Sequence, residues 1–354
     1  MKYTAAEIGK VMGIDFTADQ RAAIEQELEP GVIIAGAGAG KTAVMAARVV
    51  FLVANRLVAP EQVLGLTYTN LATGELASRV RRDLGALAAA EGIGLDESEE
   101  PTIKTYHSFA SELVAEYGLR IGLEPDLLNI ADARRSQLCA ELLRSIPMDD
   151  INLSTGLTDT IEKILSLDDE LSNCAVSIDG AMAFDLDLIE RIQGSPTTVA
   201  ELRAVGDVAK ARVDLLRLVA EFRRLKRDRD LIDYADMPRY ALELASAMPE
   251  LSAQMQERFR VVLLDEYQDT SIAQRELMKQ LFGGGHPVTA VGDPMQCIFA
   301  FNGSSPSNMT RFSTDFPRRD GIPARRHDLS LTQRNGQNIV DLANLLTPSL
   351  RAVS

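Results

Sequence analysis

Gly36-Ala37-Gly38-Ala39-Gly40-Lys41-Thr42 is the stretch whose residue types point most directly to chemistry. Alternating glycines let backbone N–H groups turn onto one point without a Cβ clash, which makes a nest for an anion. A helix opening at Lys41 would add its positive end. In such a loop the lysine reaches the outer phosphates of a nucleotide and the Thr42 hydroxyl ligates Mg²⁺. A phosphate loop opens on a glycine five residues before Gly40, where this chain has Ala35, one methyl away from the strict pattern. The natural partner lies far along the chain, where the apolar run Val261–Leu264 ends in Asp265-Glu266. Asp265 would hold Mg²⁺ through its water shell, and Glu266 would orient and deprotonate an attacking water. Gln296 is a third candidate, its amide able to sense a γ-phosphate or position that water.

These groups need strands behind them. Val32–Ile34 is a β-branched run of the kind found in buried parallel strands, and the helical run Ala43–Val53 follows the loop. Val63–Thr67 predicts a second strand ending in Tyr68-Thr69-Asn70, and Thr102–Thr105 a third ending in Tyr106-His107-Ser108. Val288–Val291 leads into Gly292-Asp293-Pro294-Met295-Gln296, followed by Phe299 and Phe301; Asp328–Leu331 precedes Arg334 and a helix over 337–346. Polar and aromatic side chains thus cluster after strand ends, where ligands bind in open α/β sheets. Aromatic faces beside hydroxyls suit single-stranded nucleic acid, at about 1–3 kcal/mol per stacked base. Core packing is the competing reading for Tyr68, Tyr106 and Phe109. Capped helices are predicted from Thr4 and from Thr17, the latter carrying Gln20, whose amide suits an adenine edge.

From about 120 to 229 strand signals give way to helical periodicity, such as Leu138, Leu142 and Leu143. The fold expected is α/β: a parallel sheet carrying the phosphate loop and flanked by helices, with an all-α inserted subdomain. The divisions are 1–120 and 230–327 for the α/β domain, 121–229 for the insertion, and 328–354 for a further segment after it. The basic segment Arg223–Arg229 suits a solvated helix face or phosphate contact equally, whereas the pairs Arg318-Arg319 and Arg325-Arg326 suit a solvated loop.

Composition bounds the rest. The 354 residues suit about two domains. A net charge of −14 opposes whole-surface attraction to nucleic acid, so any such contact must be a local groove. Three scattered cysteines and three scattered histidines argue against a disulfide framework or a zinc site. No apolar run reaches membrane-spanning length and Met1–Lys10 lacks an apolar stretch, so the default expectation is cytoplasmic.

With these pieces in order, the chain resembles the UvrD/PcrA/Rep family of superfamily-one DNA helicases, from about Phe16 to Leu346. Phe16-Thr17-Ala18-Asp19-Gln20 resembles the family's adenine-reading glutamine motif. Ala35 to Thr42 is similar to its phosphate loop, which also opens on alanine. Thr67-Tyr68-Thr69-Asn70 and Thr105-Tyr106-His107-Ser108 resemble its two single-strand-binding motifs. Leu231-Ile232-Asp233-Tyr234-Ala235-Asp236 resembles the re-entry from the helical insertion. Asp265-Glu266-Tyr267-Gln268-Asp269-Thr270 is the most specific string, and Gly292 to Gln296 with Phe299 and Phe301 resembles the motif coupling ATP to DNA. Arg334 stands where the family carries an arginine finger. Two departures stand out: Phe301-Asn302-Gly303 replaces a common Trp-Arg-Gly, and Gln333 replaces a tyrosine that stacks on adenine.

The resemblance implies an ATP hydrolase that binds ATP and Mg²⁺ and moves along single-stranded DNA, or duplex with a single-stranded tail. Lys41, Asp265, Glu266, Gln296 and Arg334 would serve catalysis. Gln20, Ala37, Gly38, Ala39, Gly40, Lys41, Thr42 and Arg334 would hold the nucleotide, with Thr42 and Asp265 on the metal. Tyr68, Thr69, Asn70, Tyr106, His107, Phe299 and Phe301 would meet DNA. The resemblance also makes the sheet a P-loop, RecA-like domain and 328–354 the start of a second, truncated one; since the family's second RecA-like domain supplies a further arginine finger and half the DNA track, turnover by this length of chain is expected to be slow. The alternative is a nucleotide-binding regulatory or scaffold module acting through a protein partner. A small-molecule phosphotransferase would leave the ordered motifs unexplained.

Overall fold

The computed structural model describes residues 3–91, 100–146, 156–195 and 199–346. They fall into two compact units, one formed by 1–109 with 248–354, the other by 110–247.

The first unit is built on a parallel sheet. Its strands are β1 (Gly31–Ala35), β2 (Val63–Thr67), β3 (Thr102–Thr105), β6 (Val261–Leu264), β7 (Val288–Gly292) and β8 (Arg325–Leu329); β4 and β5 lie in the second unit. The six are ordered β3-β2-β6-β7-β1-β8. β2, β6 and β7 are buried throughout, as both-face-covered parallel strands require. Helix α1 (Ala5–Met12) and α2 (Ala18–Ile24) each start with a capping box, from Thr4 with Glu7 and from Thr17 with Gln20. With α3 (Lys41–Ala54) and α4 (Asn70–Glu91) they pack Ile8, Phe16, Val44, Phe51, Leu76 and Val80 into one cluster over the sheet. Arg48 of α3 is 1% exposed there. Its guanidinium donates to Ile24 O at 3.1 Å, Gln26 O at 2.8 Å and Glu27 O at 3.1 Å, satisfying the carbonyls that follow α2, while burial lowers its pKa to about 10. Helix α5 (Tyr106–Tyr117) follows β3, and α11 (Pro249–Arg258), α12 (Ile272–Phe282), α13 (Ser307–Asp315) and α14 (Gln337–Leu346) complete the unit.

One consequence of this topology decides the site. All pairings are parallel, so the loops after β1, β2, β3, β6, β7 and β8 emerge at one carboxyl edge.

β8 corrects the sequence reading. The expectation was a strand over 328–331 opening a second domain; the strand runs 325–329 and pairs parallel with β1, Gly31 with Arg325 through Ala35 with Leu329. Arg325 and Arg326 are therefore strand residues, not loop. An outer strand can stay polar, so Arg325-Arg326-His327-Asp328 carries no hydrophobic signal, and Arg326 pairs with Asp328 at 2.8 Å. Residues 347–354 of the expected second segment lie outside the described residues.

The second unit is helical: α6 (Asp132–Ser145), α7 (Leu157–Asn173), α8 (Ile178–Gln193), α9 (Ala200–Asp228) and α10 (Asp236–Ala247). Leu138, Leu142, Ile164, Leu216, Val219 and Phe222 form its core. Its only sheet among the described residues pairs β4 (Leu128–Asn129) with β5 (Leu231–Ile232). Residues 230–247 thus belong with the helices, whereas the sequence returned them to the α/β domain at 230. The reason is Lys226 of α9, whose buried ammonium binds Asp233 at 2.7 Å and Asp236 at 2.8 Å and ties the following segment back to it. No described helix is long and apolar enough to cross a membrane, and all three cysteines are free.

Candidate nucleotide and nucleic-acid site

The glycine loop turns as its composition demands. Gly38 and Gly40 have φ of +78° and +85°, in the left-handed region that side chains disfavour. Gly40 caps α3, so Lys41 and Thr42 stand in its first turn. A Cβ on Gly38 would lie 2.4 Å from Cβ of Arg334 and 2.7 Å from Oγ1 of Thr332. That closeness has a purpose: Thr332 Oγ1 donates to Ala37 O at 2.9 Å and Gln333 N to Gly38 O at 2.9 Å. The segment after β8 is thereby fastened to the loop, and Arg334 is delivered to its rim.

The resulting cleft, about 1090 Å³, is lined by Ala37, Gly38, Gly40, Lys41, Thr42, Glu266, Gln296 and Arg334, all expected at the site. Lys41 Nζ and Glu266 Oε2 meet at 3.1 Å. Glu266 has φ of +44°, a left-handed backbone at a non-glycine residue. Such strain costs on the order of 1–3 kcal/mol and persists at sites where geometry is used. Gln296 Nε2 donates to Asp293 Oδ2 at 2.6 Å, which holds its amide at the cleft.

Asp265 is 4% exposed and accepts from Glu266 N at 3.0 Å. Burial, reinforced by the Glu266 charge, pushes its pKa up to about 7. A folded-state value above the unfolded one means the native protein holds a proton that the unfolded chain releases, so without metal stability falls as pH rises from about 4 to 7. Asp265→Asn removes that penalty. Thermal melts of metal-free protein should show the variant gaining on wild type by about 2–3 kcal/mol between pH 5 and pH 8. Parallel curves for the two proteins would refute this.

The structure places the other expected residues as follows. Gln20 is 3% exposed; Oε1 accepts from Thr17 N at 2.9 Å and Nε2 donates to Ala39 O at 2.9 Å. It braces the phosphate loop from behind. Ala39, 2% exposed, also turns into the core. Asn70 opens α4 on the cleft wall. Thr69 caps α4, its Oγ1 accepting from Ala72 N at 3.1 Å. Tyr106 is 2% exposed and donates its hydroxyl to Asp265 O at 3.0 Å, so it supports the Asp265 backbone and cannot stack on a base. His107 is half-buried, and burial lowers its pKa to about 4, leaving a neutral imidazole.

Tyr68 and Phe299 do come together. Their ring centroids are 4.6 Å apart, with planes inclined at 36°. Asn302 Nδ2 donates to the Tyr68 hydroxyl at 3.4 Å, linking the loop after β7 to the loop after β2. Ile298, 72% exposed on the loop after β7, and Leu71, 74% exposed in the first turn of α4, add apolar surface. The side chain of Phe301 lies outside the described residues.

Two cleft residues escaped sequence reasoning. Arg79 and Arg82 line the wall on α4 with Asn70, Gly74, Glu75 and Ser78. Their spacing is one helical face, a periodicity that could have found them. Neither Arg79 nor Arg334 has an ion-pair partner among the described residues, so two free guanidiniums face a cleft already carrying Lys41.

A parallel sheet with a glycine loop on a helix N-terminus after β1, an Asp-Glu pair after β6 at the same carboxyl edge and arginines on the rim defines a P-loop nucleotide-binding unit. The family model of the UvrD/REP helicase N-terminal domain matches residues 16–317, and the chain belongs to that family. Among its relatives, ATP-dependent DNA helicase UvrD1 of Mycobacterium leprae (strain TN) is 30% identical over 341 residues, covering 92% of this chain and 38% of the relative. The protein of the same name from Mycobacterium tuberculosis (strain ATCC 25618 / H37Rv) is 30% identical over 338 residues, with the same shares of each chain. ATP-dependent DNA helicase PcrA of Leuconostoc citreum is 27% identical over 327 residues, again 92% of this chain and 38% of the relative. The chain therefore spans about 38% of the length of these relatives.

Proposed function

We propose that the chain binds ATP in the cleft and single-stranded DNA at the Tyr68–Phe299 edge, and that hydrolysis at Glu266 drives movement along DNA. The relatives' names, ATP-dependent DNA helicases, supply the substrates; the Lys41–Glu266 pair at 3.1 Å on the glycine loop is the observation that carries the reading.

Lys41, Arg79 and Arg334 supply positive charge to the polyphosphate, and the loop N–H groups add directional donors. Glu266 takes the proton of the attacking water, and Gln296, held by Asp293, presents an amide to the same region. Thr42 and the buried Asp265 suit Mg²⁺, which when bound neutralises charge on the phosphates. At the adenine end, Gln20 keeps a second N–H beyond its bond to Ala39, whereas Gln333 cannot stack as tyrosine does. A scaffold module that never turns over ATP would have no use for a strained glutamate beside the phosphate-loop lysine.

Tyr68→Ala tests the DNA half. Stacking worth about 1–3 kcal/mol corresponds to a roughly 5- to 150-fold loss of affinity for a labelled oligonucleotide in fluorescence anisotropy. An unchanged affinity would remove Tyr68 from the DNA surface.

A further inference from the structure

Gln268 lies between the two halves of this site. It is 1% exposed, and every part of its amide is engaged. Nε2 donates to Glu266 Oε2 at 2.8 Å and to Asp269 Oδ2 at 3.0 Å, while Oε1 accepts from Asp293 N at 3.0 Å. The backbone makes room for it: a Cβ on Gly292 would lie 2.2 Å from Gln268 Oε1. Asp269 in turn accepts from Ile298 N at 3.3 Å, directly before Phe299, whose ring meets Tyr68. Asp293, the other partner, holds Gln296. From Lys41 the route runs without a gap through Glu266, Gln268 and Asp269 to the aromatic pair.

Glu266 Oε2 has two donors in this structure, Lys41 at 3.1 Å and Gln268 at 2.8 Å. A phosphate that engages Lys41 takes away the first and leaves Gln268 as the second. The left-handed backbone of Glu266 gives this short segment a strained arrangement that a change of partners can relax. We propose that Gln268 is the positioning residue that reports phosphate-loop occupancy to the Tyr68–Phe299 pair, by shifting its amide between Glu266 and Asp269 and so moving the backbone that carries Phe299. The proposal rests on the nucleotide and DNA reading above.

The test is linkage, not activity. Affinity for a labelled single-stranded oligonucleotide is measured with and without a non-hydrolysable ATP analogue and Mg²⁺, alongside analogue affinity. Wild type should show a change in oligonucleotide Kd of at least about fivefold, within the usual range of coupling between sites. Gln268→Leu, close in volume but without donors, should bind the analogue and compress that change below about twofold. Gln268→Glu keeps an acceptor for Asp293 N and loses both donors, so it should give the same compression if the leucine variant fails to fold. A folded variant retaining the wild-type change overturns the proposal. Wild type that binds both ligands without linkage overturns it too, leaving the ATP and DNA reading intact; wild type that binds neither ligand sinks that reading itself.

Discussion

Glu266→Gln is expected to lower ATP turnover in the presence of single-stranded DNA by about 10²–10⁴-fold, the usual contribution of a general base. The substitution keeps the shape of the side chain and removes its proton affinity. It also removes the anion that holds Lys41 at 3.1 Å, so the ammonium is free for phosphate and ATP affinity should stay level or rise. Steady-state hydrolysis together with equilibrium binding of a fluorescent nucleotide separates the two effects. A variant that loses binding and turnover in proportion would show Glu266 to be a structural partner of Lys41. A variant that keeps full turnover would assign water activation elsewhere.

The second large effect is expected in the helical unit. Lys226 is buried, and its ammonium contacts Asp168 at 3.1 Å, Asp233 at 2.7 Å and Asp236 at 2.8 Å. Arg223 reaches Asp168 at 2.5 Å, Arg135 reaches Asp233 at 3.0 Å and Arg239 reaches Asp236 at 2.6 Å, so each carboxylate has a second cation. Oxygens of the three carboxylates lie within 4.8 Å of one another, a spacing that a metal ion would suit, but the lysine already occupies the centre. Burial by itself would lower the Lys226 pKa; the surrounding carboxylates, Asp236 foremost, raise it instead. Burial would raise that of Asp236, and Lys226 with Arg239 hold it well below the ordinary range. Stability from Asp236 is therefore present above the unfolded carboxylate pKa and lost as pH falls below about 4.

Lys226→Met strips the centre from this network and leaves buried carboxylates facing one another. The expected cost is about 3–5 kcal/mol, measured by urea denaturation near neutral pH. Arg224→Ala provides the contrast on the same helix: its pairs with Glu221 and Asp228 are solvent-exposed and screened, so a far smaller loss is expected. Equal losses in the two variants would mean that the buried network contributes no more than a surface pair.

The sequence by itself determined the glycine loop and its carboxylate partner. Glycines alternating before Lys41-Thr42, and Asp265-Glu266 closing an apolar run, are local patterns whose chemistry travels with their spacing; the strand over Val63–Thr67 and the capping boxes at Thr4 and Thr17 are equally local. What only the tertiary structure decided depends on who sits opposite. Gln20 and Tyr106 are the residue types that read adenine and stack on bases, yet the surrounding core engages their polar atoms with Ala39 and Asp265. β8 has no apolar signature because an outer strand needs none, so its place beside β1 could be seen only in the sheet. Lys226 sits in a run that suits a solvated face or phosphate contact equally, and Asp233 and Asp236 in the segment expected to re-enter the α/β domain; only their convergence in the core shows that they keep the chain past 229 within the helical unit. The arginines of α4 reach the nucleotide cleft because a helix face, invisible as a motif, points there. Local geometry is written in neighbouring residues; burial and partnership are properties of residues far apart in the chain.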